Sequence, residues 1–513
     1  MTPKRRLPRI LFAIFAFSTL VLLTLSLGCG SGSSSGTGGG GGGGTPPPPA
    51  SAKEWMWVGG SDMRSSIPSS VYGTEGVASA ANIPGGRDGA VSWTDSSGNF
   101  WLFGGGRVDP IGNLGPRNDL WEYIPASKEW TWVSGSSTVP GNQLGIYGTE
   151  GTAAATNVPG GRSGGVSWID SSNNLWLFGG GGYDSTGNQG ILNDLWEFSP
   201  TSKQWTWMGG SNVRNGNAVY GTQGVAAAAN VPGARSGAVS WTDRSGNFWL
   251  FGGGGFDGNG NLGNFNDLWE FSPSIKQWTW VSGSNTVNAN GVYGTLGSGS
   301  AANVPGARES AVSWTDSSGN LWLFGGYGSD STGGPAASEY DLNDLWEFSP
   351  SSKEWTWMSG TSTVSTVAPG GATCVPGVYG TEETAAATNV PGGRNSANSW
   401  IDASGNLWLF GGLGCDASGT PGSLNDLWEF SATNKTWTWQ NGSNSVGAPQ
   451  GGTGGPSGVY GTEGTAAATN TPGGREGAAT WVDPSGNLWL FGGNGHDSTG
   501  APGLLNDLWS YTP

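Results

Sequence analysis

The chain has 513 residues, 97 of them glycine and 30 tryptophan, and a formal net charge of −16. Gly-rich disordered chains lack aromatics, so thirty indoles imply a packed core, and this length must divide into domains or repeats. One histidine (His496) cannot build a multi-histidine metal site, three cysteines (29, 374 and 415) are too few for a disulfide scaffold or zinc cluster, and the acidic balance argues against nucleic acid as a partner.

Met1–Arg9 carries Lys4, Arg5, Arg6 and Arg9 and no acid, and an apolar run from Ile10 to Leu27 follows. With Gly28 as the small residue at its end, residues 1–28 read as a secretory signal. Ser26-Leu27-Gly28-Cys29 resembles the lipobox of bacterial lipoproteins, although that family prefers Leu where Ser26 stands. The resemblance implies an exported protein whose Cys29 becomes the lipidated N-terminus at a bacterial membrane. The run is also close to the ~20 residues of a span, so a retained signal anchor is the alternative. Residues 29–52 are nearly all Gly, Ser and Pro and form a tether. Loss of residues 1–28 removes four of 21 bases and none of 37 acids, leaving a net charge of −20. Such a surface repels anionic lipid, so membrane contact is expected through the lipid anchor alone.

From Lys53 onward one pattern occurs six times. Asn-Asp-Leu-Trp begins at 118, 193, 266, 343, 425 and 506, and Phe-Gly-Gly begins at 103, 178, 251, 324, 410 and 491. Arg87, Arg162, Arg235, Arg308, Arg394 and Arg475 each follow Pro-Gly-Gly or Pro-Gly-Ala, and each unit holds five tryptophans. In the first unit the spacing predicts strand A over Arg87–Thr94, B over Phe100–Phe103, C over Asp119–Tyr123 and D over Glu129–Val133. Asp95-Ser96-Ser97-Gly98-Asn99 and Pro125–Lys128 supply the tight turns. Four antiparallel strands repeated six times predict an all-β, six-bladed propeller over 53–513. Lys53–Gly59 reads as a D strand without its A, B and C, and the chain ends after a C strand. The N-terminal strand is therefore expected to complete the last blade and close the ring.

The Arg opening the inner strand, the strand ending in Gly-Gly, and an aromatic seven positions before a Trp (Tyr123/Trp130, Phe198/Trp205, Phe271/Trp278, Phe348/Trp355, Phe430/Trp437) resemble the kelch repeat. The resemblance covers Lys53–Pro513 and implies a propeller similar to the central domain of galactose oxidase-like proteins. Kelch propellers mostly bind proteins or sugars, so the fold carries function weakly.

Antiparallel order puts the A–B and C–D turns on one face and the long B–C and D–A loops on the other, where binding is expected. Features identical in all units build the scaffold. On that rule the tryptophans are core, the aspartates of Asn-Asp-Leu-Trp and of the A–B turns are caps, and the Tyr-Gly-Thr tyrosines anchor the D–A loops. The six arginines either pair with loop carbonyls or a nearby acid such as Glu75, Glu150, Glu382 or Glu463, or form an anion-binding ring at the channel mouth. Positions that differ between units are the candidate ligand contacts: Glu309, Asn395 and Glu476 after the arginines, and Tyr183, Phe256, Tyr327 and His496 in the B–C loops. The longest loops belong to blades four to six, which places specificity there. Cys374 and Cys415 fall in loops of one blade on one face, and an exported location allows a disulfide between them.

A galactose oxidase copper centre needs two histidines and a Cys-linked Tyr, so that activity is rejected, and neither cofactor nor metal is expected. Gly495-His496-Asp497-Ser498 is no nucleophile elbow. The expected function is non-catalytic recognition of an extracellular glycan or protein by a monomeric propeller. A sialidase- or glycosidase-like enzyme using Asp88, Glu309 or Glu476 with the arginines is the alternative.

Overall fold

Short aromatic and β-branched runs separated by Asp, Ser, Gly and Asn favour hairpins over helices. The computed structural model describes residues 53–63, 70–108, 114–138, 143–333, 340–364, 374–447 and 454–513; the expected signal and tether, with Cys29, lie outside them. Among the described residues there is no helix, hence none long and apolar enough to cross a membrane. The architecture is all-β and propeller-like: every unit contributes a four-stranded antiparallel meander. In the first unit it runs Val91–Thr94, Phe100–Phe103, Leu120–Ile124, Glu129–Ser134. In the second it runs Val166–Ile169, Leu175–Tyr183, Gln189–Ser199, Gln204–Gly209. In the sheet of the sixth unit Glu54–Gly59 pairs antiparallel with Leu508–Thr512, Trp55 opposite Tyr511, and the two-residue strand Ala466–Ala467 lies on its other side.

Two boundaries differ from the sequence expectation, both for a backbone reason. Strand A was expected to begin at the arginine, but it begins four residues later. Residues such as Arg162–Ser163 form a separate two-residue strand, because Gly164 between the pieces has φ 64°. The B–C segments were expected as loops, yet most are ribbons. Gly179 and Gly180 take φ 65° and 96°, shift the register after Phe178, and let Gly181–Tyr183 rejoin Gln189–Ile191. Asp184 ends the ribbon by accepting the N–H groups of Thr186 and Asn188.

Each sheet packs one face on the next. Trp93, Trp101 and Phe103 meet Leu175, Leu177, Trp196 and Trp205, while Phe100, Leu102 and Trp121 meet Trp481, Trp489 and Phe491 of the last unit. A fully buried indole removes roughly 200 Å² from water, an upper bound of about 5 kcal/mol each. Polar bonds follow the same order. The indole N–H of each strand A donates to a strand B carbonyl of the following unit: Trp93 to Trp176, Trp168 to Trp249, Trp241 to Trp322, Trp314 to Trp408, Trp400 to Trp489, and Trp481 to Trp101.

Candidate functional site

The repeated arginines are buried. Each is 0–1% exposed and forms a bidentate pair with the aspartate of Asn-Asp-Leu-Trp: Arg87–Asp119, Arg162–Asp194, Arg235–Asp267, Arg308–Asp344, Arg394–Asp426 and Arg475–Asp507. In the fourth unit the Nη1 and Nη2 atoms of Arg308 donate to Asp344 at 2.6 and 2.8 Å, while Nη1 also reaches Gly325 O and Nε Gly306 O. Asp344 further accepts the Tyr293 hydroxyl (2.6 Å) and the Trp346 indole N–H (2.7 Å). Burial alone would raise the Asp344 pKa, but Arg308 and these donors hold it below the usual carboxylate range. Burial and the adjacent Asp119 push the Tyr72 hydroxyl up to about 12, so it stays a donor. The acid is therefore the aspartate, in place of the expected Glu75, Glu150, Glu382 or Glu463. With their donors spent inside the wall, the six guanidiniums offer no anion-binding ring.

Two residues past each arginine the backbone turns into the left-handed region and bonds to the next unit. Gly164 N donates to Gly89 O, Gly237 to Gly164, Ser310 to Gly237, Ser396 to Ser310, Gly477 to Ser396 and Gly89 to Gly477, at 2.7–2.9 Å. This inner belt stands above a cavity of about 370 Å³ lined by strand A residues such as Ser92, Trp93, Ser167, Ser240 and Ser313. Four belt positions are glycine; Ser310 and Ser396 occupy the others at φ 55° and 51°.

The side chains immediately before the belt residues are Asp88, Ser163, Ser236, Glu309, Asn395 and Glu476. Their ladder partners are Gly106, Gly181, Gly254, Tyr327, Leu413 and Asn494. The next rung carries Pro116, Ile191, Asn264, Asp341, Ser423 and Leu504. Three successive rungs thus differ between units at the same level. Asn395 Nδ2 donates to Asp341 Oδ1 at 2.7 Å, Asn494 Nδ2 to Glu476 Oε1 at 3.0 Å, and Glu309 lies against Gly254 of the preceding unit. Burial, then the charge of Glu476, raises Asp88 to about 6. Burial, opposed by the Asn395 bond and aided by Glu476, raises Asp341 to about 7. Glu476 is raised too, chiefly by burial.

The structure therefore brings Glu309, Asn395, Glu476 and Tyr327 together at this level. Tyr183 and Phe256 lie half-buried at ribbon tips, and His496, 3% exposed, sits two residues beyond Asn494. Asp341, Asn264, Leu413 and Asn494 were missed as site residues. Phe-Gly-Gly followed by Gly, Gly, Gly, Tyr, Leu and Asn was the available signal for the second rung; the third needed the ladder register. Cys374 and Cys415 are disulfide-bonded, with Cα atoms 6.0 Å apart. Among the described residues no group of three or more His, Cys, Asp and Glu could hold a metal ion. Chemically, the belt level offers buried carboxyls with raised pKa values, carboxamides and hydroxyls, a set suited to ligand hydroxyl or amine groups. No protein-family model matches the chain, and no curated protein matches it in sequence.

Proposed function

We propose that the chain is a six-bladed kelch-type propeller, closed by Glu54–Gly59 and held on the envelope by lipid at Cys29, that binds an extracellular glycan or partner protein at the belt level of its long-loop face. The observation that carries the binding reading is the coincidence of the three variable rungs at one level, above a scaffold whose Arg–Asp–Tyr–Trp network repeats in every unit. Closure is supported by the belt bonds that return from Gly477 to Gly89 through Ser396, Ser310 and Gly237, and by the Glu54–Gly59 pairing. With the guanidiniums engaged, carboxylated sugars lose their natural counterpart, and neutral or amine-bearing glycans fit the acids and amides better.

Glycan arrays and pull-downs with the wild-type chain and with Asp341→Asn, Asn395→Ala and Glu476→Gln test the reading. Binding that weakens in these variants, with unchanged thermal melts, supports the belt level. Binding unaffected by all three moves the site to the outer loops. Release of sugar from bound glycans, lost in Glu476→Gln, would replace recognition by glycoside cleavage.

A further inference from the structure

The D–A loop and B–C ribbon of one unit meet at a point where the fifth and sixth units differ. In the fifth, Cys374 stands five residues before Tyr379 and is bonded to Cys415, the residue before the ribbon-turn Asp416. In the sixth, the corresponding positions are Gly455, five before Tyr460, and His496, before Asp497. The disulfide is thus exchanged for a glycine backbone lying on an imidazole, so close that a Cβ at Gly455 would collide with the ring. Beside this contact a pocket of about 330 Å³ opens, with His496 at its base and Ser443, Ser445, Ser457 and Thr499 around it. That volume lies at the lower end of small-molecule sites.

The wall chemistry restricts the occupant. Apart from the imidazole, none of the described residues lining the pocket is ionisable. The Ser443 hydroxyl donates to Ser445 O at 2.7 Å and the Thr499 hydroxyl to Asp497 Oδ1 at 2.7 Å. Their protons are spent inside the protein, so they face a ligand as acceptors. Those two positions suit hydroxyl donors on an occupant, and the wall offers a charged group no ion partner besides the imidazole. We propose that the His496 pocket is a second binding site, separate from the belt level, that takes a single neutral monosaccharide unit. It stands whether or not the belt level binds anything.

Because His496 is the sole histidine, its ring gives a unique NMR signal. The full chain is titrated with glucose, galactose, mannose and N-acetylglucosamine, and with glucuronate as the anionic control, while the His496 Cε1–H resonance is followed. The expected result is a saturable shift with at least one neutral sugar and none with glucuronate. Ser445→Trp, an exposed-loop change that blocks the pocket, should weaken that binding roughly tenfold or more, whereas Asp341→Asn should leave it unchanged. No saturable shift with any neutral sugar, a response to glucuronate alone, or binding that survives Ser445→Trp in a chain with a wild-type melt would overturn the proposal.

Discussion

Two kinds of aspartate in this chain have opposite relations to stability. Asp344 is surrounded by donors that prefer its charge, whereas Asp341, three residues earlier, faces burial and the Glu476 charge that oppose it. A carboxyl whose folded pKa is raised binds its proton more tightly in the native state, so stability falls as pH rises from the unfolded value through the folded one. For Asp88 and Asp341, raised to about 6 and about 7, that window runs from about 4 to about 7. Urea unfolding of the wild type should show stability rising as pH is lowered from 8 to 5. The double variant Asp88→Asn/Asp341→Asn should be more stable than wild type at pH 8 and have a shallower slope, the remainder belonging to Glu476 and the strand C glutamates. Equal slopes in both proteins would show that these carboxyls are not the groups responsible. The six arginines teach a related lesson about legibility. Their identical recurrence pointed to the wall, but their partner lay 32–36 residues away, beyond strands A and B, where spacing along the chain gives no contact.

At the scale of strands, the four-strand unit was legible because its turns carry their own chemistry: Asp95, for example, accepts from Ser97 N, Asn99 N and the Trp101 indole. What escaped the sequence was conformation at ordinary residues. Lys53, Lys128, Lys203, Lys276, Lys353 and Lys435 all have φ between 54° and 69°, and nothing in Ser-Lys-Glu-Trp marks a left-handed residue. From that position these lysines act on the strand C glutamate of the preceding unit. Lys435 Nζ lies 3.8 Å from Glu347 Oε2; burial raises the pKa values of Glu122, Glu197, Glu270 and Glu429, and the charges of Lys203, Lys276, Lys353 and Lys53 oppose that rise. The sixth unit breaks the series: Ser510 occupies the glutamate position, opposite Met56, leaving Lys128 without the corresponding acid. Ser510→Glu should therefore stabilise the protein by about 0.5 kcal/mol, within the range of partly exposed pairs. The gain should shrink in high salt and vanish in Lys128→Ala. A loss of stability, or a gain that persists without Lys128, would refute the pairing.

For the molecule as a whole, the proposed closure makes residues 54–59 part of the last sheet although Gly59 and its partner Leu508 stand at opposite ends of the repeats. Trp55 is fully buried among Phe410, Trp509 and Tyr511, and Glu54–Trp57 supply the neighbour that the edge of Leu508–Thr512 would otherwise lack. A chain beginning at residue 64 would lose that indole and expose an apolar strand edge, a template for pairing with other chains. It should melt at a lower temperature and self-associate. Because the strand is itself one short segment, a peptide spanning residues 53–63 added to the truncated chain should bind, restore the melt and suppress association. The same peptide with Trp55→Ala should fail, since truncating a buried Trp costs about 3–5 kcal/mol. If the truncated chain melts like the full one and ignores the peptide, the first strand does not close the ring, and the belt must hold the six sheets together without it.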